Sequence, residues 1–370
     1  MKITTNRNEL LPALLQVSSV VEKRQTLPVL ANILFRVEKG MMTLIATDLE
    51  VEVKTRISVD AEEDMDFTLP ARKIVDICKA LGDEAKLELD IQGDKMVLKS
   101  GRGRYTLSTL PAADYPNLEA AVATQKITVA QNKLKRLLEK TQFAMAQQDV
   151  RYYLNGLLLE GRPGKLRAVA TDGHRLALCD LETGTAEDLD IQAIVPRKAV
   201  IELNRLLNNT DDDVPEVELQ FSSSHMQVEF PNGSFISKLV DGRYPDYAKV
   251  TPMANTLQLL ADRDLMKGAL TRTAILSNEK FRGVRFKVEP GVLHLMAHNP
   301  EHEEAEEDLE VEYQGEELTI GFNVSYLLDV LSVLDGDTVN MGLIDATASC
   351  LITSNNEDDG ARYVVMPMRI

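Results

Sequence analysis

Apolar side chains recur along this chain with two periods, one helical and one of two residues, and their alternation lays out the fold. Leu134, Leu137, Leu138, Thr141 and Met145 follow the helical spacing and predict one buried stripe, with Lys133, Arg136 and Lys140 together on the opposite face. Val200, Leu203 and Leu207 form a second stripe, leaving Lys198 and Arg205 two turns apart on the other side. Helices are predicted at about 9–24, 71–82, 131–146, 196–209, 262–278 and 324–337. The segments between them alternate Val, Ile and Leu with polar residues, as antiparallel sheets with one wet face do. The class is α+β.

The elements repeat. KITTNRNELLPALLQV from Lys2 resembles KITVAQNKLKRLLEKT from Lys126 and, more weakly, TLQLLADRDLMKGALT from Thr256, each a short strand followed by a helix. Apolar strand pairs follow these helices and end at Asp48, Asp172 and Asn299, about 125 residues apart. The second half of each unit is again strand then helix, with Pro70, Pro196 and Phe322 at matching places, the prolines suited to a first helical turn. Two units close on a Tyr-Pro turn, Tyr115-Pro116 and Tyr244-Pro245. Three similar domains are expected, at about 1–121, 124–250 and 251–370, each with two helices packed on antiparallel sheet.

Charge changes the picture because of where it lies. The formal net charge of -17 argues against a polyanionic partner, yet the six predicted helices hold roughly 15 basic and 10 acidic residues, so strands and loops carry roughly -22. Basic helices on an acidic body make a surface that attracts phosphate; the last helix, with Asp329 and neither Lys nor Arg, departs from the pattern. Such cations reach backbone phosphates but have no means of reading bases, since no recognition helix-turn-helix or zinc finger is present and aromatics are only 5%. Six like units in a pair of chains, helices inward, would close a ring by a head-to-tail contact of domain 1 with domain 3. No apolar run approaches the roughly 20 residues of a membrane span, and the N-terminal stretch lacks a secretory apolar core, so a cytoplasmic protein is expected.

Candidate chemistry is sparse. Cys78, Cys179 and Cys350 are widely separated and read as core thiols rather than metal or redox ligands. Asp172 with His174 has the look of an acid–base pair, but a lone His beside a turn Gly reads as structural. Asp211, Asp212 and Asp213 read as a solvated loop rather than a metal site, and GRGR at Gly101 lacks the spacing of a dinucleotide fingerprint. A hydrolase using paired carboxylates and a metal would need a compact acidic constellation, which the sequence does not offer. No cofactor is implied.

Seven runs together resemble the bacterial polymerase III beta clamp family: QDVRYYLNG from Gln148, TDGHRLA from Thr171, VPRK from Val195, SKLVDGRYPDY from Ser237, LSNEKFRGVR from Leu276, GFNVSYLLDVL from Gly321 and YVVMPMR from Tyr363. The resemblance covers the whole chain and implies a homodimeric ring of three DNA-clamp domains per chain, sheets outside and helices lining a channel for duplex DNA. It implies a non-catalytic processivity factor and a cleft between domains 2 and 3 that takes short peptides carrying a Gln and hydrophobic residues. The implied peptide donors are DNA polymerase III alpha, other polymerases, the clamp loader and mismatch-repair proteins.

Carried onto this sequence, the cleft comprises Leu154, Thr171, Gly173, His174, Arg175, Leu176, Pro245, Val250, Val364 and Met366, with a neighbouring subsite of Arg151, Tyr153, Ser349 and Met368. Leu, Val, Pro and flexible Met suit an adaptable apolar pocket, although on pattern alone Met366 and Met368 in a C-terminal strand read as plain core. For DNA the resemblance singles out Arg24 and Gln148, with Arg72, Lys198 and Arg205 as diffuse phosphate contacts. For the ring seam it points to Lys73, Tyr105 and Leu107 against Ile275, Leu276, Glu303, Glu304, Glu306 and Glu307. The alternative of a peptide-binding scaffold that never touches DNA predicts that neutralising Arg24, Lys198 and Arg205 leaves primer extension unchanged.

Overall fold

A computed structural model describes residues 2–22, 27–118, 122–184, 189–208, 215–251, 257–356 and 359–369. The described residues hold six α-helices: α1 (Arg7–Ser18), α2 (Ala71–Ala80), α3 (Gln131–Glu139), α4 (Arg197–Leu206), α5 (Arg263–Thr273) and α6 (Val324–Val333). All are shorter than their apolar periodicity predicts at the C-terminal end. Just after α3 the Thr141 hydroxyl donates to the Leu137 carbonyl at 2.8 Å, Thr141 leaves helical geometry, and a 3-10 turn at Gln142–Ala144 follows. Leu134, Leu137, Leu138, Thr141 and Met145 are nonetheless all buried.

The prolines stand one place earlier than expected. Pro70 and Pro196 end the strands Met65–Pro70 and Ile191–Pro196, immediately before α2 and α4 rather than inside their first turns. Asn323 holds the same position before α6, where its side chain accepts from the Ser325 N–H at 2.9 Å and caps the helix.

Every strand pairing among the described residues is antiparallel, and the chain divides into two compact units. Met1–Asn132 with Ile201–Leu239 forms one; Lys133–Val200 with Val240–Ile370 forms the other. Each unit therefore holds one outer repeat and half of the central one. The first has a five-stranded and an eight-stranded sheet, with α1 packed against α2 and against strands Met41–Thr47 and Val51–Ser58. The second has an eight-stranded and a four-stranded sheet, with α5 packed against α6 and against strand Glu304–Glu310.

The eight-stranded sheets are built by one rule used twice. In the first unit, strand Gly233–Lys238 of the central repeat pairs with Val51–Ser58, Ser237 opposite Val51. In the second, strand Ala361–Val365 of the last repeat pairs with Arg175–Glu182, Val365 opposite Arg175. Val51 and Arg175 follow the matching turns at Asp48 and Asp172, so the same pair of repeat elements meets at each junction. Two strands of the same kind stay at sheet edges: Gly103–Ser108 in the first unit and Glu304–Glu310 in the second. Cys78, Cys179 and Cys350 are buried and free, with burial pushing the Cys78 thiol up to about 11 and the Cys179 thiol up to about 12. Among the described residues no helix is long and apolar enough to cross a membrane.

Candidate functional site

Strand Lys165–Thr171 reverses into Arg175–Glu182 through a turn that fixes nearly every polar group in it. Asp172 Oδ1 accepts from the N–H groups of His174 (2.9 Å) and Arg175 (3.0 Å). The Thr171 hydroxyl donates to the Arg175 carbonyl at 2.6 Å and accepts from the Gly173 N–H at 3.0 Å. Gly173 has φ +90°, a backbone conformation that favours glycine, and a Cβ there would lie 3.1 Å from an Arg151 guanidinium nitrogen. Asp172 is spent on these two amides and on the Arg175 guanidinium rather than on the His174 ring, which fits a structural role for the turn.

Thr47 and Asp48 build the same turn in the first repeat. The Thr47 hydroxyl donates to Val51 O at 2.8 Å, Asp48 Oδ1 accepts from the Val51 N–H at 2.7 Å, and Leu49 takes positive φ in place of Gly173. A tyrosine hydroxyl receives the amide at the head of each turn: Tyr115 from Thr47 at 3.2 Å, Tyr244 from Thr171 at 3.0 Å. Burial of the Tyr244 ring drives its hydroxyl pKa upward.

Arg175 is the keystone of the second turn. Its guanidinium donates to Asp172 Oδ2 (3.1 Å), Asp329 Oδ2 of α6 (2.5 Å) and the Phe143 carbonyl (2.8 Å), and it lies over the rings of Tyr326 (4.6 Å) and Phe143 (5.2 Å). His174 stacks beside Tyr326 on the outer side.

Beside this turn opens a cavity of about 170 Å³, predominantly apolar. It brings together Leu154, Thr171, Gly173, His174, Arg175, Leu176, Pro245, Val250, Val364 and Met366, the whole of the first predicted group, together with Arg151. Leu176 and Val364 are direct cross-strand partners, and below them Leu158, Val169, Leu178 and Ile194 continue the core. Asp246 and Tyr247 also line it; sequence reasoning passed over both, although Tyr247 closes the run SKLVDGRYPDY and stands three residues after the buried Tyr244.

Three residues of the neighbouring subsite are placed differently. Tyr153 packs on the core cluster under the cavity, Ser349 is half-buried beside Cys350, and Met368 lines two other hollows with Arg369. The last strand ends at Val365, so Met366 and Met368 lie beyond it, and Met366 is 43% exposed rather than core. At the rim Arg151 grips Asp149 with two donors at 3.0 and 2.9 Å, which holds the Asp149 carboxyl down at about 2.

The basic helices keep their bias: α2, α3, α4 and α5 each carry three basic residues against one acidic residue. Individual cations depart from expectation. Lys140 does not share an open face with Lys133: its ammonium is buried between Asp335 Oδ1 and Asp359 Oδ1, both at 2.8 Å, and Arg136 reaches the same two carboxylates at 2.6 and 3.1 Å. Arg205 bonds the Leu15 and Gln16 carbonyls and the Ser19 hydroxyl, closing the C-terminal end of α1. Arg72 stays exposed with Asp76 at 3.7 Å, Lys198 is half-buried, and Gln148 is exposed at a backbone φ of 57°. Arg24 and Asp211, Asp212 and Asp213 lie outside the described residues.

Among the seam residues, Lys73 and Ile275 are exposed, Tyr105 and Leu276 half-buried and Leu107 buried. Glu304 and Glu306 are exposed on the edge strand and Glu303 is held by the Asn299 side chain in the turn before it, but Glu307 is held by both donors of Arg272 in its own chain, at 2.5 and 2.7 Å. Among the described residues no group of three His, Cys, Asp or Glu is placed to hold a metal ion.

Family models of the DNA polymerase III beta subunit match the chain three times: the N-terminal domain over residues 1–119, the central domain over 128–246 and the C-terminal domain over 248–369. The beta sliding clamp of Pseudomonas aeruginosa is 49% identical over 371 residues, covering 100% of both chains. That of Escherichia coli K12 is 48% identical over 371 residues with the same coverage. The crystal structure of the Pseudomonas aeruginosa DNA polymerase sliding clamp with ligand superimposes with a TM-score of 0.95 at 48% identity, covering 100% of each chain. The Bartonella birtlesii sliding clamp bound to griselimycin gives a TM-score of 0.95 at 37% identity and the same coverage.

Proposed function

The chain belongs to the DNA polymerase III beta subunit family of sliding clamps, and from that premise we propose that two copies joined head to tail close a ring around duplex DNA and tether replication proteins to it without catalysing a reaction. The observation that carries the ring is the twice-used strand junction. Gly103–Ser108 and Glu304–Glu310 are the repeat counterparts of strands that pair at the two internal junctions, and both lie at sheet edges. Joining the first strand of one copy to the second of another reuses the junction and removes two edges that would otherwise invite indiscriminate pairing.

With the internal register carried over, Leu107 faces Glu303, Tyr105 faces Ala305 and Arg104 faces Glu306. Less exposed residues then share one face with Ala305, and exposed basic residues meet exposed acidic ones on the other. Lys73, Ile275 and Leu276 border the same seam, and the charge contrast favours this pairing over like with like.

Inside the ring the excess of Lys and Arg on α2 to α5, with Arg24 and Gln148, meets phosphates rather than bases. Each contact is weak and replaceable, so binding is indifferent to sequence, sensitive to salt and compatible with sliding. The apolar cavity with its polar rim takes short peptides carrying a Gln and hydrophobic residues from DNA polymerase III alpha, other polymerases, the clamp loader and mismatch-repair proteins. Tyr153, Ser349 and Met368 serve the adjoining subsite with Arg151. The site of action is the cytoplasm.

The test is topological. Loaded onto nicked circular DNA by the clamp loader, the protein should persist on the circle and be lost once the circle is cut; equal retention on cut and uncut DNA refutes encirclement.

A further inference from the structure

One wall of the cavity is a loop with few backbone ties to the sheet beneath it. After the Val240 N–H donates to the Ile194 carbonyl at 2.8 Å, the described backbone hydrogen bonds of the loop, Lys249 N–H to Asp246 O and Val250 N–H to Tyr247 O, are internal to a single 3-10 turn. Pro245, just before the turn's N-cap Asp246, and Val250, its C-cap, both line the cavity. The loop is held to the sheet by two tyrosine hydroxyls. Tyr244 takes the Thr171 N–H, and Tyr247 donates to Glu160 Oε2 at 2.5 Å while accepting from Arg162 (3.4 Å) and Arg167 (3.3 Å).

The Tyr247 anchorage is itself fixed. Glu160 is nearly buried in strand Gly156–Arg162 and is paired with Arg162 at 3.0 Å. Arg167, on the neighbouring strand, is locked to Asp180 by two donors at 2.6 and 2.8 Å. The ring of Tyr247 lines the cavity at one end while its hydroxyl sits in this charged network at the other. A hydrogen bond from a buried phenol to a carboxylate is charge-assisted and short, and it sets the ring in one orientation.

We propose that Tyr247 is a positioning residue for peptide binding: its hydrogen bond to Glu160 holds the Pro245–Val250 wall at the separation from Leu176 and Val364 that a bound side chain requires. The inference rests on the reading of the cavity as a peptide site. Removing the hydroxyl leaves the ring packed on the core, so the fold survives, but the wall is free to shift and the bound state must restrain it.

The experiment uses the full-length protein and a fluorescently labelled synthetic peptide with a Gln followed by Leu and Phe residues, read as equilibrium affinity and dissociation rate. Tyr247→Phe and Glu160→Ala should each weaken binding about fivefold to tenfold, mainly through faster dissociation, the range expected for loss of one hydrogen bond. Glu160→Gln keeps an acceptor for the phenol and should restore most of the affinity. The double variant Tyr247→Phe with Glu160→Ala should be weaker than the unaltered protein by less than the sum of the two single losses, because both remove the Tyr247–Glu160 bond. Binding within twofold of the unaltered protein in both single variants, or losses that add in the double variant, overturns the positioning role while leaving the peptide site standing. If the unaltered protein fails to bind the peptide, both readings fall.

Discussion

Arg175 Nη1 lies 2.5 Å from Asp329 Oδ2, and that contact ties the turn beside the cavity to helix α6. The two partners are unequally buried, with 12% of the Arg175 side chain exposed against 46% of Asp329. Arg175→Ala strips three acceptors and two aromatic faces of a common partner and should lower the unfolding free energy by about 2 kcal/mol. Asp329→Asn removes a charge that water already screens and should cost less than about 1 kcal/mol. Urea unfolding of the two variants measures the difference; equal losses would show that the guanidinium is not the common support.

Acid should weaken the Arg136, Lys140, Asp335 and Asp359 cluster. Burial alone would raise the Asp335 pKa, but the bonds from Lys140 and Arg136 outweigh it and hold the carboxyl below its ordinary value. A depressed folded-state pKa means stability that is present above the unfolded value, about 3.9, and lost as pH falls through the folded one. Thermal unfolding followed from neutral pH to below about pH 4 should therefore show the unaltered protein losing its advantage over Asp335→Asn. Asp359→Ala, which leaves buried Lys140 with one partner instead of two, should cost about 3 kcal/mol at neutral pH. A constant gap between the unaltered protein and Asp335→Asn across this range would remove Asp335 from the account.

The two fates of α3 mark how far the sequence could be read. The stripe of Leu134, Leu137 and Leu138 is local, so its period predicts its burial. Lys140 looks like one more exposed cation because what buries it, Asp335 and Asp359, lies about 200 residues away in the chain. Arg205 is the same kind of case, since its acceptors at Leu15 and Gln16 are 190 and 189 residues distant. The cavity residues were legible through TDGHR and the YVVMPMR run, whose registers bring Leu176 opposite Val364. Tyr247 was not, because its role depends on Glu160 from another strand, and a sequence does not show which side chains a loop will hang from.

That difference between Arg72 and Arg205 can be measured on DNA. Arg72 projects from α2 with 84% of its side chain exposed and lies 3.7 Å from Asp76. Arg72→Ala in the loaded ring should weaken affinity for duplex DNA and reduce the slope of log affinity against log salt by about one. Arg205 is committed to the carbonyls at the end of α1, so Arg205→Ala should change that slope less and instead lower unfolding stability by about 1 kcal/mol. The assignment of Arg205 as a structural cap fails if its salt slope falls as far as that of Arg72→Ala with stability unchanged.

The seam makes a sharper demand, because the internal junctions prescribe a register and not merely a contact. Ser237 opposes Val51 and Val365 opposes Arg175. Hairpin alignment makes Leu107 the counterpart of Ser237 and Val365, since Gly103 follows its turn as Gly233 does. Strand pairing of Glu304 with His298 matches that of Leu176 with Thr171 and of Glu52 with Thr47, which makes Glu303 the counterpart of Arg175 and Val51. The proposed seam then sets Leu107 opposite Glu303 and, three residues along each strand and on the other face, exposed Arg104 opposite exposed Glu306. Opposed positions of an antiparallel pair lie within disulfide reach, while a one-residue slip would turn the two side chains to opposite faces. Arg104→Cys combined with Glu306→Cys should therefore give covalent dimer on mild oxidation, resolved on a non-reducing gel, whereas the protein with only its three buried cysteines should not. Arg104→Cys with Glu307→Cys, displaced by one residue, should cross-link poorly. Efficient cross-linking of the displaced pair alone would mean that the seam, if it forms, does not copy the internal junctions.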